Sequence, residues 1–308
     1  MSGYDLSYVA LASRDVPGAV RLLGEGLGLA GAEVAAPGGP VTLFRAGQSG
    51  IAVFDSEHPL LDRPGEPGLD HIALAADEPV GAAEMHGLAS IGDGDEIGLG
   101  GGAQVRVSPD ATAGVRVRFT AALDLPAGGG GTVERIDHLG VASLDVATDE
   151  RVFSGLLGCP VESRQTDMEV ATAVESFTSD KYGVVYHSRD PEPVGGLRVL
   201  FVTVGDMELE FLQEFDPNFE RVIEHGQPGT TKQDQGAIGR FVAKRGAGLH
   251  HIALKTQDID GALGRLAAAG HRVIDHTGRP GSRRALIGFV HPAALGGVLL
   301  HFVEREEI

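Results

Sequence analysis

The sequence predicts an α+β protein of four βαβββ modules, two in each half, and three observations carry that expectation. A strand opening recurs four times: Leu6–Ser13 aligns without gaps on Ile136–Ser143, and Leu69–Leu74 aligns on Leu249–Leu254. A helical stretch follows each opening, at Asp15–Leu23, Pro79–Leu88, Asp145–Leu157 and Asp258–Ala269. Short β-branched or alternating runs come next, among them Arg198–Thr203, Glu208–Leu212, Ala285–Val290 and Val298–Val303.

The last helix is the plainest. Asp258 suits an N-cap, Ile259, Leu263 and Leu266 share one face, and Gly270 stands where a left-handed C′ residue belongs. Two such modules would pair into a curved sheet, open on one side, whose inward residues converge on a cleft. The chain divides at Ala121–Thr132, whose run of glycines reads as a flexible linker. The expected layout is therefore a first domain over 1–122, a linker over 123–133 and a second domain over 134–308. A phosphate-binding glycine loop is disfavoured there, because no Lys-Ser/Thr follows and no helix opens. Extra material over Arg164–Gly196 and Phe215–Gly248 is expected between the third and fourth modules. Such insertions serve as lids or interdomain packing, and Ile238–Arg245 within the second reads as a short helix.

At 308 residues, 42% apolar and 22% charged, the chain has the composition of a globular protein and the length of two ordinary domains. No apolar run nears the ~20 residues of a membrane helix, and the opening residues lack a signal-peptide pattern, so a cytoplasmic address is expected. The lone Cys159 excludes an intrachain disulfide and reads as the start of a strand. A formal charge of −18 argues against nucleic acid, though a local arginine cluster can still hold a small anion.

Histidine stands third in both openings of the second half, as His138 and His251. The closing strands add Glu210, in Met-Glu-Leu-Glu-Phe-Leu, and His301, in Gly-Val-Leu-Leu-His-Phe. A charged or imidazole group among Leu, Phe and Val on a buried strand is costly unless it binds something. Four at equivalent positions point to one metal ion. The first half carries Tyr8, Ala52, His71 and Arg118 at these positions, a set that cannot hold a divalent cation, so the active cleft is assigned to the second half. His291 closes a turn or touches substrate, while His187, His225, His271 and His276 read as surface residues. Lys181 and Tyr182 are candidates to line the cleft.

The modules resemble those of the vicinal oxygen chelate superfamily, which includes glyoxalase I, methylmalonyl-CoA epimerase, extradiol dioxygenases and 4-hydroxyphenylpyruvate dioxygenase. Residues 134–304 are most similar to the epimerase branch. The resemblance rests on Ile136-Asp-His-Leu-Gly-Val-Ala142, Val204-Gly-Asp-Met-Glu-Leu-Glu-Phe-Leu212, the stretch from Gly239 through His251 to Ala253, Arg279-Pro-Gly, Gly288-Phe-Val-His-Pro292 and Gly296-Gly-Val-Leu-Leu300.

The resemblance implies metal ligands at His138, Glu210, His251 and His301, the last standing where relatives carry glutamate. The relatives' acid–base glutamate falls on Val194, with Glu192 two residues away. The function implied is a metal-dependent epimerase or isomerase that deprotonates a carbon next to a carbonyl, with an acyl-CoA as one candidate substrate. Glu192, Glu175 or a metal-free His301 would be its base, and Arg279, Arg283 and Arg284 would hold a carboxylate or CoA phosphate. The alternative is an Fe(II)-dependent dioxygenase using two histidines and one carboxylate. Binding without turnover is the third class. The expected cofactor is one divalent ion, from Co, Mn, Ni, Zn or Fe. Expected partners are a small molecule and neither nucleic acid nor membrane, with a homodimer left open.

Overall fold

The protein is described by a computed structural model covering residues 3–128, 131–215 and 236–306. The first half runs β1 (Leu6–Ser13), α1 (Val16–Arg21), β2 (Gly31–Val34), β3 (Val41–Ala46), β4 (Ser49–Asp55), β5 (Gly68–Ala75), α2 (Pro79–Met85), β6 (Ser90–Ile97), β7 (Ala103–Val107) and β8 (Val117–Thr120). The second begins β9 (Val133–Ala142), α3 (Val146–Glu150), β10 (Val161–Ala171), β11 (Val174–Ser179), β12 (Gly183–Ser188), β13 (Glu192–Val204) and β14 (Met207–Phe215). It ends α4 (Ala237–Arg245), β15 (Gly248–Thr256), α5 (Ile259–Ala268), β16 (Arg279–Pro280), β17 (Leu286–Val290) and β18 (Leu299–Glu304).

Each half is one eight-stranded mixed sheet, ordered β2-β3-β4-β1-β5-β8-β7-β6 and β10-β13-β14-β9-β15-β18-β17-β16. The orders are the same once the extra hairpin β11–β12 is set aside. Within a half, two modules join where their opening strands pair antiparallel, β1 with β5 and β9 with β15. Three of the helices begin on an aspartate cap. Asp15 accepts from the Gly18 amide at 2.9 Å, Asp145 from Ala147 at 3.2 Å and Asp258 from Gly261 at 2.9 Å. After α5, Gly270 adopts φ +84°, which turns the chain out of the helix.

Strand periodicity separates two environments. On β9, Ile136, Leu139 and Val141 face a core shared with the helices, and on β15 so do Leu249, Ile252 and Leu254. That core is continuous across both halves, taking in Val9, Leu11, Leu22 and Leu23 as well as Phe153, Leu263 and Leu266. The opposite faces line two lumens. In the first half Tyr8, Ala10, Val41, Leu43, Ala52, Phe54 and Leu61 pack together there. Polar contacts add to the junction: Asp206 accepts from the Gln48 amide at 2.9 Å and from the Ser49 hydroxyl at 3.1 Å.

The Arg164–Gly196 insertion corrects one expectation. It lies within the third module, between its second and third strands, not between the third and fourth modules. β10 and β13 are lengthened and pair from Val161↔Val202 to Ala171↔Glu192, and β11–β12 caps them as a separate hairpin. The expected helix over Ile238–Arg245 is α4. His225 and much of the other insertion lie outside the described residues. Among those described, no helix is long and apolar enough to cross a membrane.

Asp149 is a buried carboxyl on α3 that accepts a hydrogen bond from the Ser143 hydroxyl. Burial pushes its pKa up to about 7, and the nearby Asp145 charge adds to the rise. The folded state therefore keeps a proton there that the unfolded chain has lost above about pH 4. The stability linked to this group is fully present below pH 4, falls as pH rises toward 7, and is gone above it. Asp149→Asn should remove that slope, raising stability by roughly 2–4 kcal/mol at pH 8 and little at pH 4. Urea melts of both proteins at the two pH values check this.

Candidate metal centre

Inward positions of four adjacent strands of the second half carry His138 (β9), Glu210 (β14), His251 (β15) and His301 (β18), all buried. Strand register interleaves them with small residues. Gly140 lies between Glu210 and His251 in one row, and Ala253 lies between His138 and His301 in the next. Gly140 is required by this packing, since a Cβ there would fall 2.0 Å from His251 Cε1.

One ligating nitrogen from each of the three histidines lies within 4.8 Å of the others. Glu210 Oε2 is 3.4 Å from His138 Nε2 and 3.3 Å from His251 Nε2. Donors at about 2.0–2.1 Å from a tetrahedral zinc-sized ion are about 3.4 Å apart, so the spacing suits shared coordination. Among the described residues, His251 Nε2 and His301 Nδ1 are buried without a hydrogen-bond partner. An unmet buried polar atom costs about 1–3 kcal/mol, and a cation would meet both. The residues present fit a divalent ion.

Neighbouring groups set the protonation of these donors. His138 Nδ1 lies 2.7 Å from Asp137 Oδ1, which also accepts from Arg305 at 3.0 Å. The carboxylate thereby fixes the proton on Nδ1 and turns Nε2 toward Glu210. Burial works against a proton on His138, but the Glu210 and Asp137 charges outweigh it and raise its pKa. Burial lowers His251 and His301, which leaves both imidazoles neutral and able to ligate. Burial alone would raise Glu210, yet His138 and His251 hold it below its ordinary value.

His250 Nδ1 stands 3.0 Å from His251 Nδ1. With His251 Nε2 turned to the centre, its Nδ1 carries the proton and His250 accepts it. Burial and the neighbouring His251 push His250 down to about 3, so it is neutral and free to do so. His250→Ala should weaken metal binding about 10–100-fold with the fold intact, as loss of an outer partner generally does. Competition with a chromophoric chelator measures it.

The centre opens on a cavity of about 440 Å³, within the ~300–1,000 Å³ usual for ligand pockets. Leu197, Phe201, Leu212, Ile238, Ile287 and Phe289 supply much of its wall. Arg279, Arg283 and Arg305 also line it. Arg279 is 3.2 Å from Asp275, and Arg283 meets Glu208 at 2.5 Å and Glu162 at 3.1 Å while lying 4.2 Å over the Phe201 ring.

Other expected site residues lie elsewhere. Arg284 is exposed, at φ +57°, and does not line the cavity. Glu192 is exposed at the far end of β13, opposite Ala171, because the lengthened ribbon carries it away from the cleft. The backbone of Val194 follows on the same strand. Glu175 pairs with Arg189 on the exposed hairpin, where Lys181 and Tyr182 are exposed too. His291 closes a turn by accepting from the Ala293 amide at 3.1 Å. The proton-transfer role expected of Glu192 is therefore not supported by its position.

In the first half Arg118, 1% exposed, takes the place of His301 and donates to Asp62 at 2.7 Å. His71 is held between Asp70, at 2.7 Å, and the Tyr8 hydroxyl, at 3.3 Å. Asp62, Asp70 and His71 cluster closely, but a guanidinium already compensates the acidic charge.

Asp137, His250, Arg305 and Asp167 belong to the site and were not singled out from sequence. A signal existed for the first, since the Asp-His pair of Asp137 and His138 repeats at Asp70 and His71. Arg305 lies four residues after His301, at the same alternation but one residue past the end of β18.

Residues 137–289 match the model of the Glyoxalase/Bleomycin resistance protein/Dioxygenase superfamily. An ethylmalonyl-CoA/methylmalonyl-CoA epimerase of Cereibacter sphaeroides is 30% identical over 145 residues, which is 46% of this chain and 90% of that protein. A mitochondrial methylmalonyl-CoA epimerase of Dictyostelium discoideum is 28% identical over 141 residues, 44% of this chain and 75% of that one. Among solved structures, a mutant 4-hydroxymandelate synthase of Streptomyces coelicolor has the same fold with a TM-score of 0.63. It is 16% identical, with 99% of this chain and 94% of that chain covered.

Proposed function

This chain belongs to the glyoxalase/bleomycin resistance protein/dioxygenase superfamily, and on that premise we propose that it is a metal-dependent epimerase or isomerase. It would act by removing a proton from carbon next to a carbonyl, with an acyl-CoA as substrate. The observation that carries this reading is the convergence of four buried donors at the floor of a largely apolar cavity, in the half that aligns with the epimerases.

His138, Glu210, His251 and His301 would hold one divalent ion. When bound, it supplies Lewis-acid stabilisation of the negative charge that develops on the carbonyl oxygen. The wall of Leu197, Phe201, Leu212 and Ile238 keeps water from that oxygen and strengthens every charge interaction around it. Arg279 and Arg283 are two of the three arginines that line the cavity and would meet a substrate carboxylate or phosphate, while Arg284 lies outside. A cavity of about 440 Å³ suits the reacting acyl end, with the bulk of a CoA carrier outside it. His301, as a ligand, is not available as the base.

The dioxygenase is the second reading, favoured by the matching two-half fold of the hydroxymandelate synthase and by two histidines plus one carboxylate among the donors. One pair of assays separates them. Protein loaded in turn with cobalt, manganese, nickel or zinc should incorporate solvent deuterium into methylmalonyl-CoA. Iron-loaded protein that instead consumes oxygen with a phenolic or 2-oxo-acid substrate would establish the dioxygenase.

A further inference from the structure

Among the described residues two carboxylates line the cavity, Glu210 and Asp167. Glu210 is committed to the centre. The acidic groups around the rim are committed as well: Glu208 and Glu162 to Arg283, Asp275 to Arg279, and Asp137 to His138 and Arg305. Asp167 differs. It stands on β10, the outermost strand of the sheet, opposite Leu197 of the apolar wall. Among the described residues its hydrogen bonds come from the Gln165 side-chain amide, at 3.3 and 3.4 Å, and no ion pair engages it.

We propose that Asp167 is the general base of this site, the carboxylate that takes the substrate's proton. The inference rests on the isomerase reading above. In the step, the substrate C–H bond breaks and its electron pair passes into the adjacent carbon–carbon bond, leaving negative charge on the carbonyl oxygen. The proton goes to an Asp167 carboxylate oxygen. Return of a solvent-derived proton from Asp167 to the same carbon completes isotope exchange, with no other reactant consumed. Partial burial raises Asp167 above its ordinary pKa, which makes it a stronger base than an exposed aspartate. Gln165 holds the carboxylate in place without neutralising it.

The test pairs an activity with a binding measurement. Zinc-loaded wild type and Asp167→Asn are compared for deuterium exchange into methylmalonyl-CoA. Both are then titrated calorimetrically with oxalate, a planar mimic of the deprotonated substrate, in buffers of differing ionisation enthalpy. Wild type should take up about one proton per oxalate at pH 7, because the added anion forces one onto the base. Asp167→Asn should take up none, exchange at least about 100-fold more slowly and keep its metal and its oxalate affinity within a few-fold. Exchange within threefold of wild type, or undiminished proton uptake, overturns the assignment. Wild type that takes up the proton but does not exchange methylmalonyl-CoA leaves Asp167 as base and overturns the substrate. Wild type that fails to bind oxalate removes the metal-centred reading and this inference with it.

Discussion

Gly140→Ala is expected to strip the second half of its metal while leaving the fold in place. The added methyl would fall 2.0 Å from Cε1 and 2.2 Å from Nδ1 of His251, deep inside van der Waals contact. Gly140 does not use positive φ, so the strand itself tolerates alanine. The imidazole must therefore swing away, and the centre loses a donor, not a supporting contact. Outer-partner losses already cost about 10–100-fold in affinity, so this one should exceed about 100-fold. Metal content after dialysis, read beside the circular dichroism melt, checks it. A variant that keeps full metal would mean that His251 does not sit over β9 as described.

Arg118→Ala should produce the largest loss of stability, and in the half without the metal centre. Its guanidinium is buried in the first lumen, where it donates to Asp62 at 2.7 Å and to Gln104 at 3.4 Å. Truncation leaves Asp62 without that cation and opens a cavity beside Tyr8 and Gln104. Removing one partner of a buried pair costs about 3–5 kcal/mol, a large share of the roughly 5–15 kcal/mol that holds a domain folded. The midpoint should fall by about 6–20 °C. Replacing both partners, as in Arg118→Met with Asp62→Leu, should recover much of the loss, because no charge is then left unpaired. A single substitution that melts with wild type would show the pair to be incidental.

Local periodicity made much of this protein legible. Alternation along a strand sends His138, His251 and His301 to one face and their apolar neighbours to the other, and the repeated openings set equivalent strands in register. The helices were legible from their aspartate caps, since Asp15, Asp145 and Asp258 each accept the amide expected of a cap. What remained hidden depends on distance through space. Glu192 lies two residues from an aligned position, yet it stands nine residues along β13 from Phe201, the partner of Glu210, about 30 Å of extended chain. Asp167 reads as one polar residue among many until β10 pairs with β13 and the curved sheet brings it to the cavity wall. Arg279 and Arg283 were legible as cations near the site, but the carboxylates that bind them come from other strands and loops, Glu162 and Glu208 among them.

Metal analysis of wild type beside His138→Ala, His251→Ala and His71→Ala, all purified and dialysed alike, tests the central claim most directly. One divalent ion per chain is expected in wild type and in His71→Ala, and next to none in the other two. Equal loss from all three variants, or a wild type that retains no ion when offered cobalt, manganese, nickel, zinc and iron in turn, would contradict a single centre built by the second half.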